Sequence, residues 1–222
     1  MSFYWDERFK RHLDDSVETI VEVGARFGCE SIELTKQFPR SIVYSFECNP
    51  VTVEFCRKRL EPYGSRIKFF GMGLGEREET LPFFSYLVDE NHGASSLFKR
   101  IDFDRTQRET GRVEIKRLDK VCVENGISKI DLLCMDVQGY ELNVLKGCGE
   151  FLENNVRYVI MEEPKPVIQR EYLPEGVHSK YIGSPTSLEI KEFMSSKNFV
   201  EIERVEENGI EDNVMYLNTR LE

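Results

Sequence analysis

Several patterns that would assign this chain to a functional class are missing from it. Its 222 residues include no apolar run near the roughly 20 residues of a membrane-spanning helix. The six cysteines form no C-x-x-C pair and do not cluster with the three histidines. The sequence therefore predicts neither a zinc site nor a disulfide framework, and we expect reduced thiols in a cytosolic protein.

Basic residues are scarce relative to acidic ones. Thirty Lys and Arg stand against forty Asp and Glu, which gives a formal net charge of −10. Such a chain repels the phosphates of nucleic acid and of anionic lipid, so we expect no nucleic-acid and no membrane partner. Residues 1–15 lack the apolar centre of a signal peptide, which favours a cytoplasmic location, and Leu221-Glu222 resembles an expression-tag remnant.

Apolar runs alternate with stretches of helical periodicity, which predicts a β–α–β order. Asn49-Pro50 has the residues of a helix start. The pattern predicts an α/β fold with a doubly wound, mostly parallel sheet and a C-terminal antiparallel hairpin. The parallel strands are expected at 19–23, 42–46, 67–72, 130–135 and 157–161, and the hairpin at 199–204 and 213–218.

Two long connections interrupt this alternation. A polar stretch, 85–117, separates the third and fourth predicted strands, and a Pro-rich stretch precedes a helix predicted near 187–197. Loops longer than about 15 residues in a compact domain are usually functional. We predict that 163–186 is a lid on the acceptor side of a single domain over 1–220, with 1–16 as a helical extension.

The residues after the predicted strands point to a ligand site, because open α/β sheets bind ligands beyond the carboxyl ends of their strands. Glu22 precedes a glycine turn, Gly24 to Gly28, that lacks the G-x-G-x-x-G spacing of a dinucleotide site. Glu47 follows the second strand, where a carboxylate can accept both hydroxyls of a ribose. Glycines needed only for packing, and an acid favoured by a helix dipole, are the alternatives.

The third and fourth strands end in comparable turns. Gly71 to Gly75 is a bend with few side chains, suited to lie along an adenine face with Leu74. Asp136 leaves the fourth strand and precedes a glycine turn and a helix. Together these stretches place polar groups and open backbone at one edge of the sheet.

The same stretches resemble the FkbM family of S-adenosylmethionine-dependent O-methyltransferases, over about 18–162. The resemblance implies a class I, Rossmann-like methyltransferase fold with a seven-stranded sheet and S-adenosylmethionine as cofactor. It also implies an acceptor hydroxyl, often on a sugar or on a glycosylated or polyketide product. The motifs are Phe46-Glu47-x-Asn49-Pro50, Ser95-Ser96-Leu97, Arg117-Leu118-Asp119 and, most specific, Asp136-Val137-Gln138-Gly139-Tyr140-Glu141-Leu142 with Val144-Leu145-Lys146-Gly147.

The resemblance also indicates the cofactor site. This chain departs from the family at Arg26, Cys48, Cys134 and Gln138, where Asn, Pro, Lys and Glu are frequent. Gln138 removes a carboxylate beside Asp136 and so weakens a metal-dependent interpretation, although Asp136, Glu162 and Glu163 remain an alternative oxygen-ligand set for a divalent cation. The predicted cofactor-binding residues are Glu22, Gly24, Ala25, Gly28, Glu47, Asn49, Gly73, Leu74, Asp136 and Gln138.

Methyl transfer to a hydroxyl needs an aligned acceptor and a base that takes its proton. Asp136 is the first candidate, with a turn cap or a donor-ammonium contact as the alternative. His178 lies in the predicted lid, and a histidine has an ordinary pKa near 6.5 that suits a base. His92 precedes the Ser95-Ser96 stretch, and Glu162 ends the fifth strand. A solvated histidine is the alternative for both histidines.

We therefore predict an S-adenosylmethionine-dependent O-methyltransferase acting on a sugar or glycan hydroxyl. A non-sugar natural-product hydroxyl, a nicotinamide-dependent oxidoreductase and a silent binding module are the alternatives. A nucleotide-linked acceptor would need its diphosphate held by Arg100, Arg105 and Arg108, which otherwise belong to a solvated face. The aromatic opening, 3–9, suits packing on the sheet edge or a homodimer contact, and the oligomeric state stays open.

Overall fold

A large central sheet and a smaller second sheet make up the β-structure. The chain is described by a computed structural model over residues 6–90, 92–166 and 179–221, without the side chains of Phe103 and Asp104. The strands are β1 Thr19–Val23, β2 Ile42–Phe46, β3 Ile67–Phe70, β4 Gly73–Leu74, β5 Glu79–Tyr86, β6 Gln107–Lys116, β7 Ile130–Met135, β8 Val156–Pro164, β9 Phe199–Glu206 and β10 Glu211–Asn218.

Short helices connect the strands. The longest described one begins with a capping box, in which Thr186 and Glu189 satisfy each other's backbone N–H groups. The helices are α1 Glu7–Lys10, α2 Cys29–Gln37, α3 Val53–Leu60, α4 Phe103–Thr106, α5 Leu118–Glu124, α6 Glu141–Gly147, α7 Glu150–Asn155 and α8 Ser187–Ser196, with a 3₁₀ turn over Glu61–Tyr63. None of these described helices has the length and apolar character needed to span a membrane.

The central sheet has seven strands in the order β3-β2-β1-β7-β8-β10-β9. The first five are parallel, and β10 is antiparallel to both β8 and β9. The register places Val23 beside both Phe46 and Met135, so the carboxyl ends of β1, β2 and β7 meet at one edge. The predicted mostly parallel seven-stranded sheet with a C-terminal antiparallel hairpin is confirmed.

Both faces of this sheet are covered, because successive strand residues point to opposite sides. In β1, Val21 and Val23 belong to one buried cluster with α5, α6 and α8, whereas Ile20 belongs to a second cluster with α2 and α3. Every residue of β7 is buried. The near-continuous apolar strands of the sequence thus correspond to a sheet buried on both faces.

The stretch 85–117 is not the polar loop that the sequence suggested. It contains β6 and α4, and β6 pairs with β5 and β4 in a separate three-stranded sheet. The sequence interpretation was wrong because β6 carries charged residues on an exposed face and has no apolar run. The third strand also ends earlier than predicted, at Phe70, and Gly73–Leu74 pairs with β6.

Two further boundaries differ from the prediction. The helix expected from Asn49 begins at Val53, because the Asn49 side chain accepts from the Val51 N–H (3.0 Å) and forms a turn first. The fifth strand extends to Pro164, so the start of the predicted lid lies in β8. Most of that lid, 167–178, lies outside the described residues. In the predicted N-terminal extension, α1 lies against the edge strand β9 and buries Phe9.

Candidate active site

A cavity of about 500 Å³ opens at the carboxyl edge of the central sheet. The turns after β1, β2 and β7, the end of β8 and the connection after β5 all contribute to its walls. The described lining residues are Glu22, Val23, Gly24, Arg26, Glu30, Phe46, Glu47, Cys48, Asn49, Met72, Gly73, Leu74, Phe83, His92, Gly93, Ser95, Ser96, Leu97, Asp136, Val137, Gln138, Tyr140, Glu162 and Glu207.

The turn after β1 joins three strand ends. The N–H groups of Gly24 and Ala25 both donate to the Phe46 carbonyl (2.9 and 3.0 Å), and the Asp136 N–H donates to the Val23 carbonyl (3.0 Å). Gly24 has φ +92°, and a Cβ there would lie 2.1 Å from the Asp136 carbonyl oxygen. Glycine is therefore required at this position both by its backbone conformation and by the close approach of β7.

Two residues of the predicted cofactor set lie off this lining. Ala25 is buried in the cluster between the sheet and α2, and Gly28 precedes α2 with φ +74°. A Cβ on Gly28 would approach the Leu60 side chain within 2.8 Å, which explains that glycine by packing and backbone conformation. The other eight predicted residues line the cavity.

Glu47 keeps acceptor capacity in the cavity. Its two carboxylate oxygens accept from the backbone N–H groups of Arg26 and Asn49. An ionised carboxylate offers about four lone-pair positions, so two remain for the cavity side. Burial raises the pKa of Glu47 to about 7, while these N–H bonds hold it down. The site therefore fits the ribose of a nucleoside, as the sequence predicted.

Glu22 differs from Glu47 although both are buried acids. Its carboxyl accepts from the hydroxyls of Ser31 and Ser45, which belong to α2 and β2. Burial raises the pKa of Glu22 to about 8, so the group is mostly protonated at neutral pH. Glu22 thus joins β1 to its neighbours, and it is a poor partner for the cationic ligand group that its position in the sequence suggested.

Asp136, Gln138 and Glu162 form a connected group at the ends of β7 and β8. The Gln138 amide nitrogen donates to Asp136 Oδ1 (2.6 Å) and to Glu162 Oε2 (2.9 Å). Burial raises the pKa of Asp136 to about 6, and burial together with the Asp136 charge raises that of Glu162 well above its usual range. At neutral pH Asp136 is the ionised member of the pair and Glu162 the protonated one.

The two predicted histidines have different outcomes. His92 lines the cavity, and its Nδ1 lies 2.7 Å from the Tyr86 carbonyl oxygen. That contact assigns the proton to Nδ1 and leaves Nε2 as an acceptor. Its ring also meets Phe27 edge to face at 6.3 Å. His178 lies outside the described residues, so its role as a base stays a prediction.

Residues 22–206 match the protein-family model described as the methyltransferase FkbM domain. The chain belongs to the FkbM methyltransferase family. Among curated relatives, the FkbM chain is 31% identical over 194 residues to methyltransferase sdnD of Sordaria araneosa, covering 74% of this chain and 75% of that protein. It is 25% identical over 177 residues to the 2-O-methyltransferase NoeI of Sinorhizobium fredii, covering 73% and 70%.

A third relative is much longer than the FkbM chain. The AMB antimetabolite synthetase AmbE of Pseudomonas aeruginosa is 32% identical over 178 residues, which make up 64% of this chain and 8% of AmbE. The match therefore concerns one part of that synthetase.

Solved structures show the same fold. A SAM-dependent methyltransferase from Aquifex aeolicus superposes with a TM-score of 0.51 at 12% identity, covering 96% of this chain and 90% of the other. TrmK of M. capricolum, solved with S-adenosyl-homocysteine, gives 0.54 at 13% identity, covering 99% and 70%. Family and fold together confirm an S-adenosylmethionine-dependent methyltransferase. The oxidoreductase alternative is not favoured, because the matched family transfers methyl groups.

The structure also decides between uses of the charged residues in this FkbM domain. Over the described residues, no group of three or more His, Cys, Asp or Glu side chains is arranged to hold a metal ion. Glu163, a member of the alternative ligand set, instead accepts from Tyr216 and Arg204. Arg100 pairs with Asp102 at 2.8 Å and is outside the lining given above, as are the other two predicted diphosphate ligands.

Sequence reasoning missed several lining residues. Val137 and Tyr140 belong to the most specific family motif, and Arg26 to the first glycine turn, so proximity to those motifs was an available signal. Glu207 reaches the cavity from the turn between β9 and β10, and Phe83 from β5. Neither has a local pattern that marks it, because only the folded arrangement brings those strands to the cavity.

Proposed function

We propose that this FkbM methyltransferase transfers the methyl group of S-adenosylmethionine to a hydroxyl of an uncharged sugar or glycan. The observation that carries the proposal is the Asp136 carboxylate, ionised at neutral pH and held at the cavity wall by Gln138. When bound, S-adenosylmethionine supplies an electrophilic methyl group. The chain has to hold donor and acceptor in line and take up the hydroxyl proton.

The donor half of the cavity is formed by the turns after β1 and β2. Glu47 offers its remaining lone pairs to ribose hydroxyls, and Gly24 lets the backbone approach closely. Leu74 is buried and provides an apolar surface near Gly73 for the adenine. These contacts support a nucleoside in this half and leave the end of β7 for the acceptor.

The acceptor half contains the groups suited to proton transfer. Asp136 is our candidate base, because it leaves β7 at the cavity and is ionised at neutral pH. His92 is the second candidate through its Nε2 atom. Glu162 retains its proton and is therefore unsuited to the role of base at neutral pH.

The charge of the lining supports an acceptor without phosphates. Six acidic residues and one arginine, Arg26, line the cavity. A nucleotide diphosphate would meet this negative wall, and Arg100, Arg105 and Arg108 are not part of the described lining. We therefore favour an uncharged sugar hydroxyl over a nucleotide-linked one. The similarity to NoeI, named a 2-O-methyltransferase, supports oxygen as the methylated atom.

Calorimetry with S-adenosyl-homocysteine and NAD in parallel tests the donor half, and we expect binding of the first and none of the second. Transfer of radiolabelled methyl from S-adenosylmethionine to a panel of methyl glycosides and of non-sugar alcohols tests the acceptor. Labelling of the alcohols alone would overturn the sugar part of the proposal. Absence of labelled oxygen products, with labelled amines instead, would overturn hydroxyl transfer.

Asp136→Asn tests the base, because it keeps the shape of the side chain and removes the proton acceptor. We expect turnover to fall at least ~10²-fold with little change in S-adenosyl-homocysteine affinity. Asp131→Asn is the matched control on the same strand, where the carboxylate accepts from the Glu18 and Thr19 N–H groups (2.9 Å each). It should lower stability and preserve turnover. Loss of donor binding in Asp136→Asn would make Asp136 a donor ligand and leave His92 or His178 as the base.

A further inference from the structure

Tyr181 lies at the acceptor side of the cavity in a short strand-like pairing. Residues 99–101 and 180–182 face each other through the Ile101 N–H to the Lys180 carbonyl (2.9 Å) and the Ile182 N–H to the Lys99 carbonyl (2.8 Å). The Tyr181 side chain is 3% exposed, and its ring faces the Arg100 guanidinium at 5.6 Å. Tyr181 is therefore held in place independently of any ligand.

The turn after β7 is shaped to receive this tyrosine. Gly139 has φ +94°, and a Cβ there would lie 3.2 Å from the Tyr181 Cβ and 2.9 Å from the Ser184 Cβ. The absence of a side chain at Gly139 lets the segment that contains Tyr181 pack directly on the turn. As a result the Tyr181 hydroxyl reaches the side chain of Gln138.

That hydroxyl determines how the Gln138 amide is oriented. Tyr181 Oη donates to Gln138 Oε1, and burial raises the pKa of Tyr181 well above its usual range, so the hydroxyl keeps its proton. With its oxygen bound to Tyr181, the amide directs both N–H groups toward Asp136 and Glu162. The Gln138 carbonyl accepts from Ser96 Oγ (2.8 Å), which anchors the backbone of the same residue.

We propose that Tyr181 is a positioning residue for methyl transfer, which acts through Gln138 to hold the Asp136 carboxylate toward the acceptor. This inference rests on the proposed function of Asp136 as the base. Without the Tyr181 hydroxyl, the amide can rotate and turn its oxygen toward the two acids. Asp136 then loses a short donor contact in a buried site, where an unpaired charge is costly.

The same step predicts a change in the proton affinity of Asp136. The Gln138 hydrogen bond lowers the pKa of Asp136, so its loss should displace the titration of this carboxyl to higher pH. The other charged groups that act on the pair stay in place, which isolates the effect of the amide. They are Arg26 and Glu30 from the side of α2, Glu141 from α6, and Glu207 and Glu211 from the β9–β10 hairpin.

Tyr181→Phe removes this hydroxyl alone. Tyr216→Phe is the matched control, because Tyr216 is equally buried and donates to Glu163, which lies outside the described lining of the cavity. We expect Tyr181→Phe to lower kcat about tenfold with unchanged affinity for S-adenosyl-homocysteine. Carbon-13 NMR of labelled aspartate in the S-adenosyl-homocysteine complex should show Asp136 titrating at higher pH in Tyr181→Phe and unchanged in Tyr216→Phe.

Gln138→Met provides a second variant that removes the amide itself. It should displace the Asp136 titration in the same direction, and adding Tyr181→Phe to it should cause no further displacement. Equal Asp136 titrations in wild type, Tyr181→Phe and Gln138→Met would overturn the inference. The NMR measurement needs no acceptor, so it decides this inference separately from the methyl-transfer assay, whose failure on hydroxyl acceptors would overturn the proposed function.

Discussion

Burial assigns different charges to acidic residues of the same type around one cavity. The pKa of Glu22 rises to about 8 and that of Asp136 to about 6, although both side chains line the site. The value for Asp136 overlaps the ordinary range of a histidine, so a fall in turnover below about pH 6.5 does not separate an aspartate base from a histidine base. The substitution of Asp136 and its direct titration are therefore the decisive experiments.

Glu47→Gln is expected to weaken S-adenosyl-homocysteine binding at least about tenfold, because it removes charge-assisted hydrogen bonds to the ribose hydroxyls. In the wild type the affinity should rise from pH 6 to pH 8, since the pKa of Glu47 is about 7 and the ionised form is the stronger acceptor. Calorimetry over this pH range measures both effects.

Glu54→Gln is the control for a change of charge near the same site, because Glu54 is exposed on α3 and pairs with Arg57. Its affinity for S-adenosyl-homocysteine should equal that of the wild type. Equal dissociation constants for Glu47→Gln and Glu54→Gln would remove Glu47 from the ribose contact.

At the scale of elements, the contact between the ends of β1 and β7 should be the least tolerant of substitution. Gly24→Ala would place a Cβ 2.1 Å from the Asp136 carbonyl oxygen at φ +92°. We expect a loss of stability above about 2 kcal/mol together with loss of S-adenosyl-homocysteine binding, because the two strands have to separate. Denaturant unfolding and calorimetry measure the two quantities.

Gly126→Ala is the matched control for this strain. Gly126 has φ +66°, but no described atom lies within 4 Å of the position that a Cβ would take there, so the substitution tests backbone conformation without a clash. It should cost about 1 kcal/mol and preserve binding. A similar loss of stability in both variants would show that the close approach of β7 contributes little.

The second sheet shows why element-scale prediction succeeded in one part of the chain and failed in another. Strand β7 is buried along its whole length and was predicted with its observed bounds. Strand β6 exposes Arg108, Glu109, Arg112 and Glu114 and pairs with β5 across an irregular register. Its strand conformation depends on that pairing, and a strand with so much exposed charge has no distinct apolar signature.

At the scale of the whole molecule, we expect stability to fall as pH rises. The folded-state pKa is about 8 for Glu22 and Glu141 and about 7 for Glu47, whereas unfolded glutamate titrates near 4.3. Between these values the folded state binds more protons than the unfolded state, so the free energy of unfolding decreases with pH. Carboxyls with lowered pKa, such as Asp6 at about 2, act below this window.

The free energy of unfolding at pH 8 should therefore be at least about 1 kcal/mol lower than at pH 5.5, since each pKa unit corresponds to about 1.4 kcal/mol. Denaturant unfolding without ligand at the two pH values measures it. Glu22→Gln keeps an acceptor for Ser31 and Ser45 and cannot ionise, so it should reduce the difference. Stability that increases from pH 5.5 to pH 8 would contradict this prediction.

The sequence by itself determined the central strands, the turns that end them and the family, because apolar runs, glycines and motifs are local patterns. It therefore located Glu47 and Asp136 at the edge where the cavity lies. Only the tertiary structure decided which acids are ionised, that β5 and β6 form a second sheet, and that Tyr181 contacts Gln138. These features arise from burial and from contacts between residues distant in sequence, which exist only once the chain has folded.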